Sequence, residues 1–169
     1  LLSSRMSKFS LFAEKVYDIK CNQHMRLAFG DSFFKIRSVL NENQIPLLLG
    51  GDHSIAISSI FAANEYACTK NKKLGILWCD AHADFNTMET SETYNIHGMP
   101  VSILCHHTLP MLTFGRALYP VQFGYLGVRD VDIKEAERMK RFNMTLLDTS
   151  NVTKWMDQFD YIHLSFDCD

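Results

Sequence analysis

The sequence predicts an α/β fold, with a mainly parallel sheet between two layers of helices in one three-layer domain over residues 1–169. Three observations predict it. Short apolar runs, bounded by turn-forming residues, recur at 45–49, 74–77, 123–128 and 161–166 in the way buried strands do. The stretches between them carry apolar residues at helical spacing. Acids or a histidine follow the first, second and last runs, and the carboxyl ends of parallel strands are where such sheets build their sites.

The elements follow in order. Phe9, Phe12, Val16 and Ile19 fall near helical spacing, but Ser and Lys interrupt them and no element is assigned over residues 1–25. Asp31 caps a helix over 31–43, with Phe33, Ile36, Val39 and Leu40 as its apolar stripe. Pro46 suits the opening of a strand over 45–49. Gly50 and Gly51 then permit a sharp turn into a helix over 54–67, whose Ile57, Ile60 and Phe61 face the sheet. Asn71-Lys72-Lys73 turns into the central strand, and 88–94, polar and aperiodic, forms a surface loop. A short helix over 98–107 precedes an irregular connection over 108–121 that holds two of the four prolines. The strand over 123–128 leads to a helix over 133–142. A further helix over 150–159 carries Val152, Trp155, Met156 and Phe159, the clearest helical stripe in the chain. The last strand closes the sequence.

With 169 residues there is room for one sizeable core, and 47% hydrophobic with 21% charged residues is ordinary for a soluble globular chain. No apolar run approaches the roughly 20 residues that span a bilayer. A net charge of −2 makes no case for nucleic acid or an anionic membrane as partner. Five cysteines without metal-type spacing suggest free thiols in a reducing compartment, with Cys79 and Cys168 packed and inert. Leu1 opens the chain without a signal-peptide pattern and a candidate ligand closes it, so the sequence reads as a fragment, poorly folding and inactive if it stood alone.

Asp80, His82 and Asp84 would leave one side of the sheet together if the central strand ran on through them. His53 follows the first run, and Asp167 and Asp169 follow the last at the same spacing of two. Ordinary solvated turns do not place acid or histidine after three separate apolar strands, so a metal site is favoured. Four carboxylates and two imidazoles exceed one tetrahedral ion, and the lack of thiolate disfavours structural zinc. Two divalent cations, in such sites about 3.5–4 Å apart, would balance the four negative charges.

Gly-Gly-Asp-His-Ser at 50–54, Asp-Ala-His-Ala-Asp-Phe-Asn-Thr at 80–87, Asn-Ile-His-Gly-Met-Pro at 95–100, Gly-Val-Arg-Asp-Val-Asp at 127–132 and Ser-Phe-Asp-Cys-Asp at 165–169 resemble the ureohydrolases, and among them most nearly the arginases. The resemblance implies an arginase/deacetylase-like α-β-α sandwich, incomplete here. It also implies two Mn²⁺ ions. Asp80 and Asp167 match the bridging carboxylates, His53 and Asp84 the other ligands of one ion, His82 and Asp169 those of the second. It further implies attack of a bridging hydroxide on the guanidinium carbon of L-arginine, giving L-ornithine and urea, with His97 as proton shuttle and Asp84 beside it among the catalytic residues. Asn86, Ser91 and Thr93 match contacts to the substrate α-carboxylate, and Asp132 and Glu135 match the acidic pair at the α-ammonium. Asp132 and Glu135 also read as a capped helix start. The chain departs from the family pattern with Thr93 in place of serine and Tyr94 in place of glycine.

The carboxylate for the guanidinium end lies past Asp169 in the family. An agmatinase or other guanidino hydrolase, and a non-catalytic metal-binding relative, are the alternatives. A homotrimer in the cytoplasm is implied, with the mitochondrion as the other compartment, and a small-molecule substrate as the only partner beyond the chain itself.

Overall fold

A computed structural model describes residues 22–168. The apolar positions noted at 9–19, and Asp169, lie outside the described residues. Four strands make up the described sheet: β1 (Leu74–Cys79), β2 (Phe123–Leu126), β3 (Thr145–Leu147) and β4 (Tyr161–Phe166). All pair in parallel, in the order β3-β2-β1-β4. The central β1 is buried along nearly its whole length, as its unbroken apolar run requires.

Among the described residues five α-helices accompany it: α1 (Asn22–Asn41), α2 (Ala56–Thr69), α3 (Pro100–Leu104), α4 (Ile133–Arg141) and α5 (Val152–Met156). Helix α2 lies on the face of the sheet that presents Ile76, Trp78, Phe123 and Tyr125, and buries Ile57, Ile60 and Phe61. Helix α1 packs on α2 through Phe29, Phe33 and Ile36. On the opposite face the glycines of the strands admit large rings. A Cβ on Gly75 would stand 2.5 Å from the ring of Phe159, and one on Gly124 would stand 2.8 Å from Trp155. That second layer is partial, because Leu164 and Phe166 of β4 remain 61% and 67% exposed.

Several expectations need correction. Helix α1 starts upstream of Asp31, which is an exposed residue inside the helix rather than its cap; burial of Ala28 and Phe29 extends the apolar face back past it. Residues 45–49 form no strand, and Ile45, Leu47 and Leu49 are exposed. A strand exists by its ladder, and no described strand pairs with this segment. Helix α5 is shorter than its stripe, yet Trp155 is still buried. The strand β3 was not anticipated. Three residues with Leu146 exposed at the sheet edge give too short an alternation to read.

Candidate metal centre

The site begins with sheet register. Cys79 pairs with Phe166, and the ladder continues one residue further: Asp80 N–H donates to the Leu126 carbonyl at 3.2 Å and Asp167 N–H to the Cys79 carbonyl at 2.9 Å. Asp80 and Asp167 therefore leave neighbouring strands at one level. His53 arrives from the other side. Asp52 is extended and its carboxylate accepts from the Ser54 N–H at 2.9 Å, which starts the 3-10 turn His53–Ile55 that runs into α2. The His53 ring stacks on Trp78 with centroids 3.9 Å apart.

His53 Nδ1 stands 2.8 Å from Asp80 Oδ2, 3.3 Å from Asp84 Oδ2 and 3.6 Å from Asp167 Oδ2. Its Nε2 meets Ser165 Oγ at 2.8 Å. The other oxygen of Asp80 faces His82, accepting from the His82 N–H at 2.8 Å with the ring Nδ1 at 3.3 Å. Asp80 thus divides its two oxygens between two imidazoles. The His82 side chain is 44% exposed, and its Nε2 lies 3.7 Å from Asp130 Oδ2.

Strand alternation does not deliver Asp84. The strand stops at Cys79, and the Ala81 carbonyl is taken by the N–H groups of Arg129 and Asp130 at 2.8 and 3.0 Å. Gly127, at φ 95°, lets the exit of β2 pass close to the Asp80 carbonyl. Asp84 itself adopts φ 48°, in the left-handed region that Asp tolerates better than most residues. A loop, not a pleat, brings it to His53.

The electrostatics follow from this crowding. Burial opposes a charge on His53, but hydrogen bonds to Asp80 and Asp84 and the charges behind them outweigh it and raise the imidazole to about 9. Burial also works to raise Asp80, yet the bonds from His53 and the His82 amide win and hold it below the usual carboxylate range. Asp84 goes the other way: burial, the largest influence, leaves it raised. On His53 a proton therefore occupies the position that a cation would take.

The donor chemistry fits a divalent metal ion. The ligand atoms of His53, Asp80 and Asp167 lie within 4.8 Å of one another, a set of one imidazole and carboxylate oxygens. With Nε2 engaged by Ser165, Nδ1 is the His53 nitrogen turned towards the carboxylates. His53, Asp80, Asp84 and Asp167 are brought together, His82 stands at their rim, and Asp169 is outside the described residues.

The other candidate residues are distributed around this centre. His97 is exposed, in the 3-10 turn Ile96–Gly98 that lies beside the His53 turn. Asn86 is buried and donates from Nδ2 to Asp132 Oδ2 at 3.1 Å. Ser91 Oγ accepts from the Tyr94 N–H at 3.0 Å, and Thr93 Oγ1 from the Asn95 N–H at 3.3 Å, so both hydroxyl oxygens shape their own loop. Asp132 is exposed and begins α4 without a cap from its own side chain, but the Glu135 carboxylate meets the Asp132 backbone N–H, so half of the expected capping box is present. Glu135 is only 3% exposed and accepts from the Phe85 N–H at 2.6 Å. Burial, countered in part by that bond, lifts its carboxyl to about 7. Of the thiols, Cys79 is half-buried, but Cys168 is exposed, contrary to expectation, two residues past the end of β4.

Two residues of the centre were missed. Ser165 precedes Asp167 by two, so the spacing that links Asp167 to Asp169 would have reached it when read backwards along the strand. Asp130 carried no local signal; only the register of β2 brings it near His82.

A parallel α/β sheet that gathers carboxylates and an imidazole where adjacent strands end is an open-sheet fold with a group that could hold a metal ion. Comparison with known proteins specifies the class. The chain belongs to the arginase family, whose model matches residues 8–169. Arginase from Bacillus subtilis strain 168 is 36% identical over 152 residues, 80% of this chain and 50% of that protein. A crystal structure of Bacillus subtilis arginase superposes with a TM-score of 0.79 at 27% identity, covering 98% of this chain and 62% of that one. Entamoeba histolytica arginase in complex with L-ornithine gives a TM-score of 0.77 at 25% identity, covering 94% and 59%. The chain spans half or less of the length of the curated relatives it matches.

Proposed function

We propose that the whole protein to which this chain belongs is a dinuclear manganese arginase, hydrolysing L-arginine to L-ornithine and urea. The observation that carries it is the division of Asp80 between His53 and His82, a carboxylate with one oxygen towards each of two imidazoles. That arrangement suits a bridging ligand. His53, Asp84, Asp80 and Asp167 would hold one ion; His82, Asp80, Asp167 and Asp169 would hold the second. When bound, the two cations supply a water acidic enough to act as a nucleophile near neutral pH.

The chain's own side chains do the remaining work in this reading. Asp80 and Asp84, buried beside His53, supply part of the negative charge that the two cations would balance. His97, exposed on a turn beside the His53 turn, can pass a proton to the leaving amine, the task imidazole side chains most often perform as general acids and bases. Asp132, exposed and bonded to Asn86, offers a carboxylate to an α-ammonium group.

The test is made on the full-length protein, stripped of metal and reloaded with Mn²⁺. Ornithine release from L-arginine is compared with putrescine release from agmatine. The expected result is Mn²⁺-dependent ornithine formation with arginine strongly preferred. Preference for agmatine would overturn the substrate, and indifference to Mn²⁺ would overturn the centre.

A further inference from the structure

Asp84 reaches His53 from a segment that belongs to no helix or strand, and it does so at φ 48°. A non-glycine backbone stays in that region where its surroundings dictate it. Backbone groups on both sides of Asp84 are tied. The Asp84 carbonyl accepts from the Val101 N–H at 3.0 Å, and the Asn86 N–H donates to the Gly98 carbonyl at 3.1 Å. Between those ties Phe85 turns to α4. Its N–H donates to Glu135 at 2.6 Å, while its carbonyl accepts from Arg138 Nε at 3.2 Å and Ser102 Oγ at 2.7 Å. The Arg138 guanidinium also lies 4.7 Å from the centre of the buried Phe85 ring.

Glu135 and Arg138 are three residues apart on α4 and so share one face of it. One accepts from Phe85 and the other donates to it. Glu135, at 3% exposure with an amide already on its carboxylate, is closed to a solute, whereas Asp132 one turn earlier is open.

We propose that Glu135 and Arg138 form a two-point clamp on the Phe85 backbone that holds the Asp84 carboxylate aimed at His53, making Glu135 a positioning residue of the metal centre rather than a contact to substrate. The clamp rests on the metal centre of the proposed function. It predicts that damage at α4 appears first in metal binding and only secondarily in substrate affinity.

Glu135→Ala, Glu135→Gln and Arg138→Ala are made in the full-length protein. Mn²⁺ affinity is measured by the electron paramagnetic resonance signal of free Mn²⁺, and KM and kcat for arginine are measured at saturating Mn²⁺. Glu135→Ala and Arg138→Ala should each weaken Mn²⁺ binding about 10-fold or more, the range seen when the supports of metal ligands are removed, with KM changed less than about twofold. Glu135→Gln keeps an oxygen for the Phe85 N–H and should restore most of the affinity. Should Glu135→Ala fail to fold, Arg138→Ala tests the same clamp from its half-exposed side. Unchanged Mn²⁺ affinity in the alanine variants, with KM raised about 10-fold by Glu135→Ala, overturns the clamp alone and makes Glu135 a substrate contact. Failure of the unaltered protein to bind Mn²⁺ overturns the metal centre as well.

Discussion

Ser165→Ala removes the oxygen that His53 Nε2 meets at 2.8 Å and leaves everything else about the imidazole in place. Trp78, stacked at 3.9 Å and 21°, still fixes the plane of the ring. What is lost is the direction of the ring within that plane, and with it the aim of Nδ1 at the carboxylates. His53 and Ser165 are 7% and 6% exposed, so water does not readily replace the hydroxyl. Leaving a buried N–H without its acceptor costs about 1–3 kcal/mol. Since a tenfold change in affinity is about 1.4 kcal/mol, the expected loss of Mn²⁺ affinity is about 5- to 140-fold. Titration of the metal-free, full-length protein with Mn²⁺ reads this directly. Ser165→Thr retains the hydroxyl and suits a strand, so it should bind Mn²⁺ nearly as the unaltered protein does. Equal affinity in Ser165→Ala and the unaltered protein, or a threonine variant no better than alanine, would refute the role given to this hydroxyl.

Acid and base act on different histidines. His53 is raised from 6.5 to about 9, so its contribution to the metal-free fold is complete below 6.5 and is lost as pH rises through 9. His163, which burial lowers from 6.5 to about 4, contributes above 6.5 and loses that contribution as pH falls through 4. Calorimetry of the metal-free protein should therefore show the Tm falling towards both limits, while Mn²⁺ affinity rises from pH 6.5 to 9 as the competing proton leaves His53; an affinity flat across that window would contradict the assignment. Gly124→Ala drives a Cβ into Leu147 and to 2.8 Å from Trp155, and should lower stability by about 1–3 kcal/mol in urea unfolding without changing Mn²⁺ binding. Among the described thiols, Cys168 should react first with a disulfide reagent, and Cys105, buried and pushed up to about 12 by that burial, only on unfolding; mass spectrometry of partly labelled protein orders them.

The strands β1, β2 and β4 were legible because their residues speak locally. Ile76, Trp78, Phe123 and Tyr125 are apolar in unbroken runs, and burial on both sides of a parallel strand demands that composition. The helix stripe at Ile57, Ile60 and Phe61 was legible for a similar reason, one face against one sheet. The segment over 45–49 has the same composition and misled, since hydrophobicity marks what a strand can bury and says nothing of which strand pairs with it. The stripe over 150–159 identified Trp155 and Phe159 as the residues that meet the sheet, although the helix ends before the stripe does.

The centre divides along the same line. Asp80 and Asp167 are one residue beyond paired strand ends, and the ladder that places them is the one the apolar runs announce. Asp84 obeys partners far away in sequence: Val101 on its carbonyl, and Glu135 and Arg138 on the residue after it. No spacing within Asp80-His82-Asp84 could encode those ties, so the expected alternation put Asp84 in the right company by the wrong route. Glu135 exposes the same limit from the opposite side. In one dimension it reads as an acid three residues after Asp132, equally suited to a helix start or to a substrate amine. In three dimensions its exposure of 3% and its bond to Phe85 separate it from Asp132, which remains open to solvent. A motif names the residues gathered at a site, and burial then divides those that can touch a ligand from those that hold others in place.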